Sequence, residues 1–140
     1  MISLKGGKNT GYSIVNDFGN KIDFYTSGTC GCCSVYEKYL ARNGVDVNVV
    51  NNQKISEIKE KYGVPLDLES CHTFIIGDYF IEGHMPLEAI DKLLKEKPNI
   101  AGIALAGMPN GAPGMTGTKD EDFVIYSVNK DGTYQEFMRI

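Results

Sequence analysis

Apolar positions along this chain change their period several times, and each change marks an element. Lys21-Ile22-Asp23-Phe24-Tyr25 alternates as a short strand, ended by Thr26, Ser27 and Gly28. A helix is predicted from Cys32 to Asn43, with Val35, Tyr36, Tyr39 and Leu40 on its apolar face and Gly44 as its stop. Val45, Val47, Val49 and Val50 make a second strand. Ile55, Ile58 and Tyr62 fall at i, i+3 and i+7, a second helix capped by Asn52 and closed by Gly63 before Pro65. Thr73 to Ile76 and Tyr79 to Glu82 flank Gly77-Asp78 as a hairpin. Pro86 then opens a third helix with Leu87, Ile90, Leu93 and Leu94 inward, a Glu88–Lys92 pair outward, and Pro98 at its end.

The predicted order is β-α-β-α-β-β-α, an α/β fold. Its first strand, helix and strand form a right-handed crossover, and the hairpin completes a mixed sheet of four strands. Residues 99–118 are rich in Gly, Pro and small residues and read as a long loop that also carries Met108 and Met115. A second hairpin follows, residues 123–128 and 133–138 around Asn129 to Gly132. There is no internal repeat beyond the hairpins. One domain is expected over residues 21–140, after an N-terminal extension of residues 1–20.

Composition narrows the function classes. A hydrophobic content of 42% and a charged content of 23% are those of a soluble globular domain. The formal charge of −4 offers no basic footprint for nucleic acid. No apolar run reaches the roughly 20 residues of a membrane span. The first residues lack the apolar stretch of a signal peptide, so the expectation is a cytoplasmic protein, or an extracytoplasmic (periplasmic) one if a signal has been removed.

The cysteines carry the chemistry. Three of the four lie in Cys30-Gly31-Cys32-Cys33, where the first strand hands over to the first helix. Amide N–H groups at a helix start favour thiolate, which is both the disulfide-exchange nucleophile and the soft-metal ligand. Crowded thiols do not suit a secreted scaffold stapled across distant loops. Neighbouring Cys32 and Cys33 would strain a disulfide between them, whereas Cys30 and Cys33 have C-x-x-C spacing. A cysteine motif at the first strand–helix junction of this element order is the thioredoxin-like arrangement. There the loop entering the third strand lies beside the first helix's N-terminus, at the position thioredoxins give to a cis-proline. Here that loop holds Ser70-Cys71-His72, so a fourth thiol is expected to face the other three.

With Cys30-Gly31-Cys32-Cys33, Ser70-Cys71-His72-Thr73, Glu82-Gly83-His84-Met85-Pro86, and Gly107-Met108-Pro109 through Pro113-Gly114-Met115 in this order, the chain resembles a known family. It is the bacterial and archaeal family of unknown-function domains that includes the copper-resistance protein CopG, and the likeness spans roughly residues 20–138. The resemblance implies a thioredoxin-like domain that binds copper through cysteines, with a role in copper tolerance. It also implies Cys30, Cys32, Cys33 and Cys71 as ligands, joined by His84, Met108 and Met115.

The residue chemistry bears on which metal. Side chains at Cys32 and Cys33 diverge by about 100° if both are helical. Adjacent thiolates therefore suit several bridged ions better than one. Cu(I) is soft, tolerates bridging thiolates and accepts thioether and imidazole, so a cluster of more than one copper is expected. Zinc in a closed tetrahedral site is the alternative metal. His72 follows Cys71 directly, and strand alternation would point it away, as a hydrogen-bonded structural residue or as a ligand. His84 could cap the third helix, face water or bind metal, while Met85 packs. Met108 and Met115 lie off any amphipathic stripe and are read as a lid over the cysteines. Asp120, Glu121 and Asp122 read as a solvated charge run.

Three function classes stay open: a Cu(I)-binding protein of copper homeostasis, a thiol-disulfide oxidoreductase, and a structural zinc module. In the second, Cys30 is the nucleophile and Cys33 resolves, and oxidising that pair would dismantle a copper cluster. Enzymatic turnover is left open. The partners implied are copper ions and a copper-transfer or redox protein, with neither nucleic acid nor membrane insertion.

Overall fold

The β-branched and aromatic stretches of the chain gather into one sheet, seen in a computed structural model that describes residues 21–26, 31–51, 54–107, 109–113, 115 and 117–140. The side chains of residues 21, 31–33 and 51 are outside that description. Strands β1 (Lys21–Thr26), β2 (Asp46–Asn51), β3 (His72–Ile76), β4 (Tyr79–Glu82), β5 (Gly102–Ala104), β6 (Val124–Val128) and β7 (Tyr134–Arg139) are joined by helices α1 (Gly31–Arg42), α2 (Ile55–Tyr62) and α3 (Leu87–Glu96). A short 3₁₀ turn, Leu66–Leu68, precedes β3. The seven strands form a mixed sheet in the order β2-β1-β3-β4-β5-β6-β7. Strand β1 runs parallel to β2 and antiparallel to β3, β3 is antiparallel to β4, and β4 is parallel to β5.

Four strands were expected in the sheet, and the structure corrects that number. Residues 102–104 lie inside the segment predicted as loop, yet they form β5 and bridge β4 to β6. The second hairpin is thereby part of the same sheet. Three residues are too few for an alternation to show, and all three are buried. Gly102 suits this place because a Cβ there would lie 2.3 Å from the carbonyl oxygen of Phe80.

Alternation along the strands sorts side chains onto two faces. Ile22, Phe24, Phe74, Ile76, Ile81, Ile103 and Ile125 pack with α1 and α3, through Tyr36, Leu40, Leu87, Ile90, Leu93 and Leu94. Phe80, Ala104 and Val128 pack on the other side with Val64 and Leu68, near α2. The result is a helix–sheet–helix sandwich with its larger core under α1 and α3.

Several local expectations change. Val35 is 49% exposed rather than on the buried stripe of α1, whose inward residues are Tyr36 and Leu40. The cap position of α2 is Lys54, while Asn52 lies outside the described residues. On α3, Lys92 pairs with Glu96 and Asp91 with Lys95, in place of Glu88 with Lys92. These i, i+4 pairs are exposed and worth little, about 0.3–0.5 kcal/mol each. Among the described residues no helix is long and apolar enough to cross a membrane.

Candidate metal centre

Strand β3 begins at His72, opposite Thr26 at the end of β1, and the chain bends through Ser70 and Cys71 just before it. His72 shares the face of Phe74 and is fully buried. Its ring lies 4.7 Å, centroid to centroid, from both Phe24 and Tyr36. After β4 the chain turns at Gly83, with φ of 88°. A Cβ on Gly83 would lie 2.5 Å from the Leu105 carbonyl oxygen and 3.0 Å from Ser70 Cβ, so only glycine lets these segments meet. That turn delivers His84, also fully buried, edge-on to the His72 ring at 4.8 Å.

Both imidazoles converge on one sulfur. His84 Nε2 lies 3.0 Å and His72 Nδ1 3.2 Å from Cys71 Sγ. Backbone carbonyls hold the remote ring nitrogens: His72 Nε2–H donates to Gly83 O at 2.9 Å, and His84 Nδ1–H donates to Pro113 O at 2.6 Å. A carbonyl can only accept, so each remote nitrogen carries the proton and each near nitrogen presents a lone pair. One thiol proton can serve one of those lone pairs. A metal ion serves both, and carbonyl-anchored imidazoles of this kind are the usual support for metal-ligating histidine.

The three ligand atoms lie within 4.8 Å of one another. Bond lengths near 2.3 Å to sulfur and 2.0–2.1 Å to nitrogen put coordinated S···N edges at about 3.6 Å and N···N edges at no more than about 4.1 Å, so seating an ion widens the two S···N separations by about 0.5 Å and draws the two nitrogens together. Thr26 Oγ1, across the sheet pairing from His72, is buried with no hydrogen-bond partner among the described residues.

Burial holds both imidazoles neutral. It pushes His72 well below the ordinary histidine range, with the neighbouring His84 and Lys59 adding to the effect and the Gly83 hydrogen bond opposing it. Burial also lowers His84, against the Pro113 hydrogen bond. Unfolded histidines take up protons below about pH 6.5, where the folded ones resist, so apo-protein stability is lost as pH falls through that value. Glu82 works in the opposite sense, because burial raises its carboxyl despite Lys59 beside it. The check is therefore an NMR titration of the apo-protein beside urea melts. Imidazole signals should stay in the neutral form below pH 6.5 while the urea midpoint falls between pH 7 and 5.5. An imidazole titrating at or above pH 6.5 would refute the assignment.

Position in the sheet explains which sequence expectations meet here. Cys71 and His84, both expected as ligands, come together. His72 joins them, although alternation was expected to turn it away. Alternation compares residues within a strand, and Cys71 lies in the bend before β3, so the rule does not order this pair. The signal available in the sequence was the His72–His84 spacing, one at the start and one just past the end of the same hairpin. The Gly/Pro segment closes over the centre: Pro113 O takes the His84 proton, and Gly107 O accepts Ser70 Oγ–H at 2.6 Å. Met115 is half-buried and packs against the main core. Met108 and Cys30 lie outside the described residues. Cys32 and Cys33 occupy the first turn of α1, and their side chains are likewise outside the description.

Residues 68–115, which hold Cys71, His72, His84 and the loop, match a family model described as "Protein of unknown function, DUF411". Two solved structures, described as forms 2 and 1 of copper resistance protein copG, are each 34% identical with a TM-score of 0.78. They cover 86% of this chain and 97% and 96% of their own. This chain belongs to the copG family. No curated protein matches it. Within this copG-family chain, the family-model segment thus runs from the 3₁₀ turn to Met115 and contains every residue of the Cys71 centre. Its relatives are named for copper resistance, and its own Cys71–His72–His84 group is one that could hold a metal ion.

Proposed function

We propose that this protein binds Cu(I) as cargo in copper homeostasis and resistance. The observation that carries this reading is the pair of imidazole lone pairs, each fixed by a backbone carbonyl, aimed at one cysteine sulfur. A soft thiolate with two neutral imidazoles suits copper, and the 34% identity to copG structures supports that choice over zinc.

The fuller ligand set has Cys30, Cys32 and Cys33 joining Cys71, His72 and His84 around more than one copper ion. Helix α1 begins shortly after β1 ends opposite His72, which supports such a cluster. Met108 and Met115 add thioether contacts from the covering loop. The fold reading is thioredoxin-like, supported by the β1-α1-β2 crossover and the β3–β4 hairpin in the sheet order β2-β1-β3-β4. Copper passes between this protein and a transfer or redox partner.

Anaerobic titration of the reduced full chain with Cu(I) tests the reading. Uptake of more than one ion per chain, with thiolate-to-Cu(I) charge-transfer absorption, is the expected result. One tightly held zinc and no copper uptake would overturn it.

A further inference from the structure

The face of the sheet opposite the imidazoles hides a buried ion pair. Lys59 on α2 is 3% exposed and Glu82 at the end of β4 is 0% exposed, and the two are in direct contact. Lys59 takes the i+4 place of the stripe Ile55, Ile58, Tyr62, so its stem runs inward with the apolar side chains. Glu82 pairs in register with Thr73, whose hydroxyl donates to Glu82 Oε1. Lys59 Nζ–H also donates to Thr73 Oγ1 at 3.1 Å.

Charges this deeply buried do not persist for stability, because an apolar pair of the same shape commonly serves as well or better. Their remaining contacts show where they act. Glu82 Oε2 accepts the Ser70 backbone N–H at 2.7 Å, and Lys59 Nζ–H donates to the Ser70 carbonyl oxygen at 3.2 Å. Both backbone groups of Ser70 are thus gripped from the α2 side, and the Ser70 carbonyl belongs to the peptide bond that leads into Cys71. Ser70 Oγ–H in turn holds Gly107 O of the covering loop. All peptide bonds described are trans, so no cis-proline sets this bend.

We propose that the Lys59–Glu82 pair is a positioning device for the metal thiolate. It grips Ser70 by its backbone and so sets Cys71 Sγ against His72 and His84, whose rings approach from the other face. The residues touch no ligand atom themselves. They act through the Ser70 backbone, and the covering loop is tied to the same residue. This inference rests on the copper reading above, with Cys71 as a ligand.

Removing one partner would leave a bare buried charge and endanger folding, so both charges are removed together. Lys59→Met/Glu82→Leu removes every hydrogen bond to Ser70 from this side. Lys59→Met/Glu82→Gln keeps an oxygen that can still accept the Ser70 N–H. Wild-type and both variants are compared as full chains for Cu(I) affinity against a competing chelator, thermal midpoint, and the NMR tautomer signals of His72 and His84. The expected result is a fall in Cu(I) affinity of about 10–100-fold, the range for supporting residues of a metal site. It is larger for the leucine variant, with a midpoint unchanged or higher and altered apo imidazole signals. If the leucine variant does not fold, the glutamine variant carries the comparison. Affinity and imidazole signals equal to wild type in a folded variant overturn the positioning role. So does an affinity loss that only tracks a lowered midpoint. A wild-type chain that takes up no Cu(I) instead refutes the copper reading, while the apo imidazole signals still decide the positioning role.

Discussion

Replacing Cys71 by serine is expected to lower Cu(I) affinity by about 100-fold or more and to leave the apo fold intact. The serine hydroxyl is a hard, protonated oxygen where Cu(I) prefers a soft thiolate, so the substitution removes a ligand rather than weakening one. Residues that merely support ligands already account for about 10–100-fold, which sets the lower bound for a ligand itself. Two neutral imidazoles, His72 and His84, remain anchored through their remote nitrogens by Gly83 O and Pro113 O, bonds the substitution does not touch. Cys71 is only half-buried, in a bend at the edge of the main core, so the apo stability change should stay within about 1 kcal/mol. Chelator competition and urea melts of both proteins read the two effects separately. Equal affinity and stoichiometry in Cys71→Ser would remove this residue from the site.

Tyr36→Ala is expected to be among the most destabilising single substitutions, at about 3–5 kcal/mol by the usual loss for a large buried aromatic. Tyr36 is fully buried on α1, with Phe24, Phe74, Tyr39 and both histidines around its ring. Its hydroxyl donates to Met85 O at 2.7 Å, tying α1 to the turn that carries His84. Burial raises its pKa well above the ordinary tyrosine value, with Tyr39 adding to the effect, so the phenol keeps its proton for that bond. Tyr36→Phe keeps the ring contacts and deletes only the hydroxyl, leaving Met85 O short of a partner. A loss of about 1–3 kcal/mol follows, with copper affinity largely kept. Domains of this kind are typically stable by about 5–15 kcal/mol, so the alanine variant should be visibly less folded at ambient temperature. Urea denaturation of the three proteins measures the series, and an alanine variant no weaker than the phenylalanine one would show that the ring packing carries little.

The two substitutions mark how unevenly the site could be read in advance. Cys71 stood out because the predicted fold brings its loop beside the start of the first helix, and His84 through the family resemblance. His72 stayed open between structural residue and ligand, because the alternation rule that would turn it away holds within a strand and not across the bend that precedes one. Lys59 and Glu82 carried no site expectation in the sequence, since lysine and glutamate are seldom fully buried unless paired. A quieter signal was present, because Lys59 fills an apolar slot of the α2 stripe and Glu82 shares the face of Phe80. Neither slot names the other, and the residues are far apart in the chain. Likewise β5 was hidden by its length, and with it the continuity of the sheet from β1 to β7.

What the sequence by itself determined about this protein is local. Periods of two and of about 3.6 placed the longer strands and helices, because side-chain direction repeats with backbone geometry. The cysteine and histidine residues also announced a soft-metal chemistry. Tertiary structure alone decided which of those groups meet, and how. The antiparallel pairing of β1, β3 and β4 sets His72 on one face and Glu82 on the other; the turn at Gly83 brings His84 to the first, and α2 brings Lys59 to the second, with the Ser70–Cys71 bend between them. Proton positions on the imidazoles come from Gly83 O and Pro113 O, backbone atoms that every residue possesses and that no residue type reveals. Ligand identity is written in side chains, whereas ligand direction is set by backbone groups brought together only when the chain closes.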